Sequence, residues 1–136
     1  MAKMIFVNLP ITDLARSTKF YEALGASKNP QFSDAASSCM VLSETIYVML
    51  LTHEKYAHFT SRPISDAHKT SAALIALSAD SKDEVNAVIS LAAAAGGRAD
   101  PNPAQDMGFM FGRSIEDPDG HVWECFWMDP KAVGAG

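Results

Sequence analysis

Gly25 and Gly96 each end an apolar helical stripe, and they are spaced by roughly 70 residues. The same order of elements surrounds both. Before Gly25, Met4 to Ile11 (MIFVNLPI) alternates as a strand with Ile5, Val7, Leu9 and Ile11 on one face. Thr12-Asp13 then offers an N-cap to a helix with Leu14, Phe20, Tyr21 and Leu24 along one side. Strands are expected over Ser27 to Phe32, Ser38 to Ser43 and Ile46 to Thr52, the last two joined at Ser43-Glu44-Thr45. The second pass starts with a strand-like Ser71 to Ala79. Ser81-Lys82-Asp83-Glu84 is a capping box, and Val85, Val88, Ile89 and Ala92 form its helix stripe before Gly96-Gly97. Strands follow around Arg98, over Gly108 to Ile115 and over His121 to Met128, with a type I turn signal at Asp117-Pro118-Asp119-Gly120.

The chain therefore reads as an α+β fold built from two βαβββ modules. All 136 residues fit one domain: a first module over 4–52, a linker over 53–70 with a short helix around Glu54 to Phe59, and a second module over 71–128. In this repeat Phe6 matches Leu74, and Leu50 matches Glu124.

Composition excludes several function classes. Hydrophobic residues at 48% and charged residues at 20% are globular values and argue against disorder. The net charge of −5 and the scattered 11 Lys and Arg give no positive stripe for nucleic acid or an anionic membrane. No apolar run has membrane-spanning length, and Met1-Ala2-Lys3 leads directly into a strand rather than a signal core. Cys39 and Cys125 form no CxxC pair or disulfide framework, which suits a reducing cytoplasm.

Three stretches carry a family likeness: Val7-Asn8-Leu9-Pro10-Ile11-Thr12-Asp13-Leu14 with Ser17, Phe20, Tyr21 and Leu24-Gly25; Ile75-Ala76-Leu77-Ser78; and Asp117-Pro118-Asp119-Gly120-His121-Val122-Trp123-Glu124. With the doubled element order, the chain resembles the vicinal oxygen chelate superfamily of glyoxalase I, bleomycin-resistance proteins and extradiol dioxygenases. The resemblance implies paired modules curling into a mixed-sheet cup, a ligand on its concave side, and a homodimer. It also implies that metal-dependent members place four His, Gln or Glu ligands at the positions held here by Phe6, Leu50, Leu74 and Glu124. Phe and Leu have no lone pair to give, and one carboxylate does not hold a divalent ion against water. A one-residue shift brings in Ile5, Val7, Met49, Leu51, Ala73 and Ile75, all apolar. No metal and no cofactor is expected.

Alternation places Phe6, Asn8 and Pro10 of the first strand, and Val122, Glu124, Phe126 and Met128 of the last, toward the cup, with Trp123, Cys125 and Trp127 against helices. The expected ligand pocket comprises Phe6, Asn8, Leu50, Leu74, Arg113, Glu124 and Phe126. Glu124 reads either as a general acid or base or ligand anchor, or as a carboxylate paired with Arg113 or water. Arg113 reads either as an anchor for an anionic ligand or as a solvated strand residue. Met107, Phe109, Met110 and Phe111 line a cavity or fill a core, one set to each face.

His53 and His58 sit at i and i+5, about 140° apart around a helix, and so do not make a zinc-protease pair. They and His68 are read as linker surface, and His121, Asp117 and Asp119 as local turn chemistry. Two function classes follow. One is a metal-free protein that binds or sequesters an apolar or aromatic compound. The other is a lyase, isomerase or dioxygenase that uses unrecognised metal ligands, a linker histidine among them, or Glu124 as acid or base.

Overall fold

In a computed structural model, which describes residues 2–133, the chain divides into two compact units, Met1–Asp66 and Ala67–Gly136. The first holds β1 (Ile5–Ile11), α1 (Leu14–Ala23), β2 (Ser27–Asp34), β3 (Ser37–Val41), β4 (Ile46–Thr52) and α2 (His53–Tyr56). The second holds β5 (Ile75–Ser78), α3 (Lys82–Ala94), β6 (Arg98–Ala99), β7 (Gln105–Asp106), β8 (Met110–Glu116), β9 (Val122–Met128) and α4 (Pro130–Val133).

The two sheets share one topology. The first runs β1-β4-β3-β2 and the second β5-β9-β8-β6, with β7 also on β8. In each, the first strand pairs parallel to the last, and the others pair antiparallel. The expected α+β class and the two mixed sheets are thus present. β5 is shorter than the expected Ser71 to Ala79, and α2 ends three residues before Phe59. The two-residue β7 and α4 carried no sequence signal.

The helices begin where the caps predict. The Asp13 carboxylate accepts from the Arg16 N–H at 3.0 Å, and the Ser81 hydroxyl from the Glu84 N–H at 3.0 Å. Glu84 reaches back to the Asp80 N–H, completing the reciprocal arrangement. The β8–β9 turn is organised by Asp117. Its Oδ1 accepts from the N–H groups of Asp119 (2.9 Å) and His121 (2.8 Å). Gly120 closes that turn at φ +96°, and a Cβ there would lie 2.5 Å from the His68 backbone nitrogen. The turn therefore requires glycine for both its backbone angle and its space.

Each helix covers one face of its sheet. In the first unit, α1 lies over the face carrying Leu9, Ile11, Met40, Val48 and Leu50, all buried, and Thr18 meets Ser38 at 2.9 Å. In the second, α3 lies over Trp123, Cys125, Trp127, Arg113 and Ile115. Asn86 of α3 bonds Arg113 at 2.9 Å, and Lys82 stands 5.6 Å from the Trp127 ring centre. Trp123 is buried there, with the helix, as alternation predicts.

Candidate functional site

The faces turned away from the helices hold the candidate chemistry, and each unit supplies its own. On the first sheet, parallel register sets Phe6 beside Tyr47, Asn8 beside Met49 and Pro10 beside Leu51. Residues level with each other in a ladder project to the same face. The Phe6 and Tyr47 rings stack at 4.5 Å and 11°, although Phe6 remains 47% exposed. The Asn8 side-chain amide donates to the Phe6 carbonyl at 3.3 Å. Cys39 lies across from Met49 on this face, and burial pushes its thiol pKa up.

Leu50 is placed elsewhere. It lies level with Leu9 and Ser38 on the α1 face and is fully buried. Met49 takes the position on the open face. The sheet registers also shift the internal repeat by one residue. Asn8 stands beside Met49 just as Ala76 stands beside Glu124, so Met49, not Leu50, is the counterpart of Glu124. Neither Met49 nor Tyr47 was in the expected pocket. β4 is apolar along most of its length because it is a central strand, which leaves no alternation to read.

On the second sheet, Glu124 lies between Ala76 of β5 and Ser114 of β8. One rung along, Phe126 lies between Ser78 and Gly112, and the next rung pairs Met128 with Met110. The Ser114 hydroxyl is held at 3.1 Å by both the N–H and the carbonyl of Asn102. In the other direction Glu116 accepts from Arg98 at 2.8 Å and stands 4.0 Å from His68 Nδ1. Among the described residues, Glu124 holds no ion pair or side-chain hydrogen bond. Leu74 precedes β5 and is exposed.

Arg113 faces the helix side. It stands level with Cys125, one residue out of phase with Glu124. Its guanidinium grips Asp100 in a bidentate pair at 3.1 and 2.8 Å and donates to Asn86 at 2.9 Å. That pairing holds the Asp100 carboxyl below its usual range and the guanidinium above its own. Arg113 therefore braces the sheet to α3 and the β6 edge and does not pair with Glu124. The signal was available, because the turn at Asp117–Gly120 fixes Glu116 opposite Val122 and hence Ser114 opposite Glu124.

A sequence model of the Glyoxalase/Bleomycin resistance protein/Dioxygenase superfamily matches residues 3–125. The chain belongs to this superfamily. No curated protein matches it by sequence. Solved structures share the fold. A hypothetical protein from S. aureus superposes with a TM-score of 0.76 at 22% identity, covering 93% of this chain and 94% of that one. A glyoxalase-related enzyme from Fulvimarina pelagi gives 0.77 at 20%, covering 93% and 88%. A fosfomycin resistance protein from Listeria monocytogenes gives 0.65 at 16%, covering 93% and 91%.

The metal positions of the superfamily are a test of donor chemistry. Phe6 presents a ring stacked on Tyr47, Leu50 is sealed under α1, and Leu74 is an alkyl chain at the surface. Met49, which takes the open face instead, offers a thioether, a soft donor that hard divalent ions do not select. The residues at these positions do not fit a divalent metal. Among the described residues, no group of three or more His, Cys, Asp or Glu side chains is arranged to hold one. His53 and His58 are exposed around α2, and His68 lies beside Glu116. Cys125 is buried on the α3 face, where burial and the nearby Glu84 raise its pKa and keep the thiol a poor nucleophile. No helix among the described residues is long and apolar enough to cross a membrane.

Proposed function

We propose that this superfamily member binds or sequesters a small apolar or aromatic compound and does so without a metal. The observation carrying this reading is the exposed Phe6 ring, stacked on Tyr47, at the place where a metal-dependent relative needs a donor. Apolar side chains with a few fixed polar groups are what small-molecule sites are made of. Asn8, Ser114 and Glu124 are polar groups on the open faces, alongside Ser78, Gln105 and the Arg98-bound Glu116 in the second unit. The candidate binding residues are Phe6, Asn8, Tyr47 and Met49 on the open face of the first unit and, separately, Leu74, Glu124 and Phe126 in the second, with Leu50 and Arg113 on the helix sides of their own sheets. The protein acts in the cytoplasm as a homodimer and binds neither nucleic acid nor membrane. The net charge of −5 supports the last point.

The test pairs two measurements on purified protein. Elemental analysis for zinc, nickel, iron and manganese is expected to show well under one equivalent, and a thermal-shift screen of aromatic and hydrophobic compounds is expected to yield stabilising hits. A stoichiometric metal released by Glu124→Gln would overturn the reading. It would restore the second one, a superfamily lyase, isomerase or dioxygenase. That second reading draws on one feature, the Glu124 carboxylate uncommitted on an open face, where it could serve as an acid or base.

A further inference from the structure

The open face of the second sheet is graded along its length. At one end three methionines form a row across neighbouring strands. Met110 pairs with Met128, and Met107, one residue beyond β7, donates its N–H to the Met110 carbonyl at 2.8 Å. Strand alternation puts Met110 and Met128 on the face of Phe126 and Glu124, the backbone bond holds Met107 next to Met110, and Met107 and Met128 are 57% and 37% exposed. The next rung is low in the middle. Gly112 has no side chain, and a Cβ there would only touch the Phe126 Cβ at 3.5 Å. The rung after it has Ala76 and Ser114 on either side of Glu124. Small residues thus form a floor from which Phe126 and Glu124 rise, with the exposed Gln105 beside Gly112 at the β7 edge. The cations near this face are already engaged. Arg98 is bound to Glu116, and Arg113 is turned to the other side.

We infer that this face selects an apolar compound bearing an ammonium or amidinium head group, with the head on Glu124 and the body across Phe126 and the Met107–Met110–Met128 row. This deepens the small-molecule-binding reading and rests on it. The length fits: Phe126 and Met128 lie about 7 and 13 Å along the strand from Glu124. Methionine suits the body end, because its flexible, polarisable side chain adapts to irregular apolar shapes. The carboxylate suits the head, because a donor that reaches it answers a charge that no group among the described residues pairs with. Charge complementarity therefore favours a cation over a neutral analogue and rejects an anion.

Three naphthalene probes test this: 1-naphthylmethylamine, 1-naphthylmethanol and 1-naphthylacetate, titrated by fluorescence into wild type, Glu124→Gln and Met128→Ala. The expected order is amine, alcohol, acetate, with about a fivefold step from amine to alcohol, the size of a part-exposed ion pair. Glu124→Gln should merge amine and alcohol, whereas Met128→Ala should weaken all three alike. Raising salt on wild type should narrow the preference without any substitution. Equal binding of the three probes, or a preference that survives Glu124→Gln, overturns the inference and leaves the binding reading intact. Unchanged affinities in Met128→Ala overturn the placement of the apolar body. If no probe binds up to millimolar concentration, the binding reading falls and the inference falls with it.

Discussion

The two sheets have the same strand order and the same parallel pairing of first strand with last, yet their open faces carry opposite chemistry. The first presents the Phe6–Tyr47 stack and Met49, has Cys39 and Leu51 buried on the same side, and carries its one level carboxylate, Asp34, at the far β2 edge, where Ser37 and Lys55 engage it. The second presents Glu124 among Ala76, Ser114 and Gly112, with Phe126 and the methionine row beyond. The helix-covered faces have changed less: large apolar side chains fill both. A duplicated framework keeps what its helix packing requires and varies on the opposite face. Function is therefore to be sought in the differences between the open faces rather than in what the units share.

The largest expected effect tests which faces are shared packing. Trp123 is buried against α3, so Trp123→Ala should cost about 3–5 kcal/mol in chemical denaturation. Leu50→Ala under α1 should cost about 2–5 kcal/mol, and the neighbouring Met49→Ala clearly less, because Met49 is only half-buried. A larger loss at Met49 than at Leu50 would reverse the face assignment of β4.

Gly25 and Gly120 sharpen the comparison on the backbone side. Both have positive φ, +117° and +96°, but nothing lies within 4 Å of a Cβ at Gly25, while at Gly120 it would meet the Ala67 and His68 backbone at 2.7 and 2.5 Å. Gly25→Ala should therefore cost only the left-handed strain of about 1–2 kcal/mol. Gly120→Ala should cost about 3 kcal/mol or more, because the Ala67–His68 segment must also move. Equal losses, read from thermal midpoints, would mean that the segment yields easily.

Much of this architecture was legible in the sequence, because its signals are local. Alternation marks β1, caps at Asp13 and Ser81 mark helix starts, glycines at 25 and 96 mark helix stops, and Asp117 to Gly120 marks the hairpin. The candidate site was legible only where a strand alternates. Phe6 and Glu124 were placed on the open faces from such strands, whereas the face of Leu50 could not be read from the apolar run Ile46 to Leu51. The face of Arg113 was legible from the register that the Asp117–Gly120 turn sets, but its partners were not, because Asp100 and Asn86 are distant in sequence and become neighbours only through β6 and α3.

The two units also hold a carboxylate each below its usual pKa, by different means. Asp34 is lowered chiefly by the Ala36 N–H and then the Ser37 hydroxyl, and Asp100 by the Arg113 guanidinium. A depressed folded pKa gives stability that is present above the unfolded value of about 3.9 and lost as pH falls through the folded one. Asp100→Asn keeps a residue that tolerates the φ of 56° found there. At pH 7 it should lose about 0.5–1 kcal/mol, a part-exposed pair being screened by solvent. The gap to wild type should close as pH falls through the lowered folded pKa of Asp100. Added salt should weaken the Asp100 contribution more than that of Asp34, because an ion pair is screened whereas a bond to a backbone N–H is not. A wild-type and Asp100→Asn difference that stays constant from pH 7 to pH 2 would show that the Arg113 pair contributes through geometry alone.

The smallest effect on stability is expected at the residue that most distinguishes the two units. Glu124 and Met49 hold equivalent sheet positions, and Glu124 contributes no ion pair or side-chain hydrogen bond to the fold among the described residues. Glu124→Gln should therefore change unfolding stability by no more than about 0.5 kcal/mol. Glu124→Met, which copies the first unit, should leave stability equal or slightly higher, since it removes a carboxylate from among Ala76, Phe126 and Met128. The same two variants should abolish the discrimination between cationic and neutral naphthalene probes. A structural carboxylate gives the opposite result, a loss above about 1 kcal/mol with selectivity unchanged. Stability and selectivity measured on the same two proteins thus decide whether the charge on the second open face is there for the fold or for a ligand.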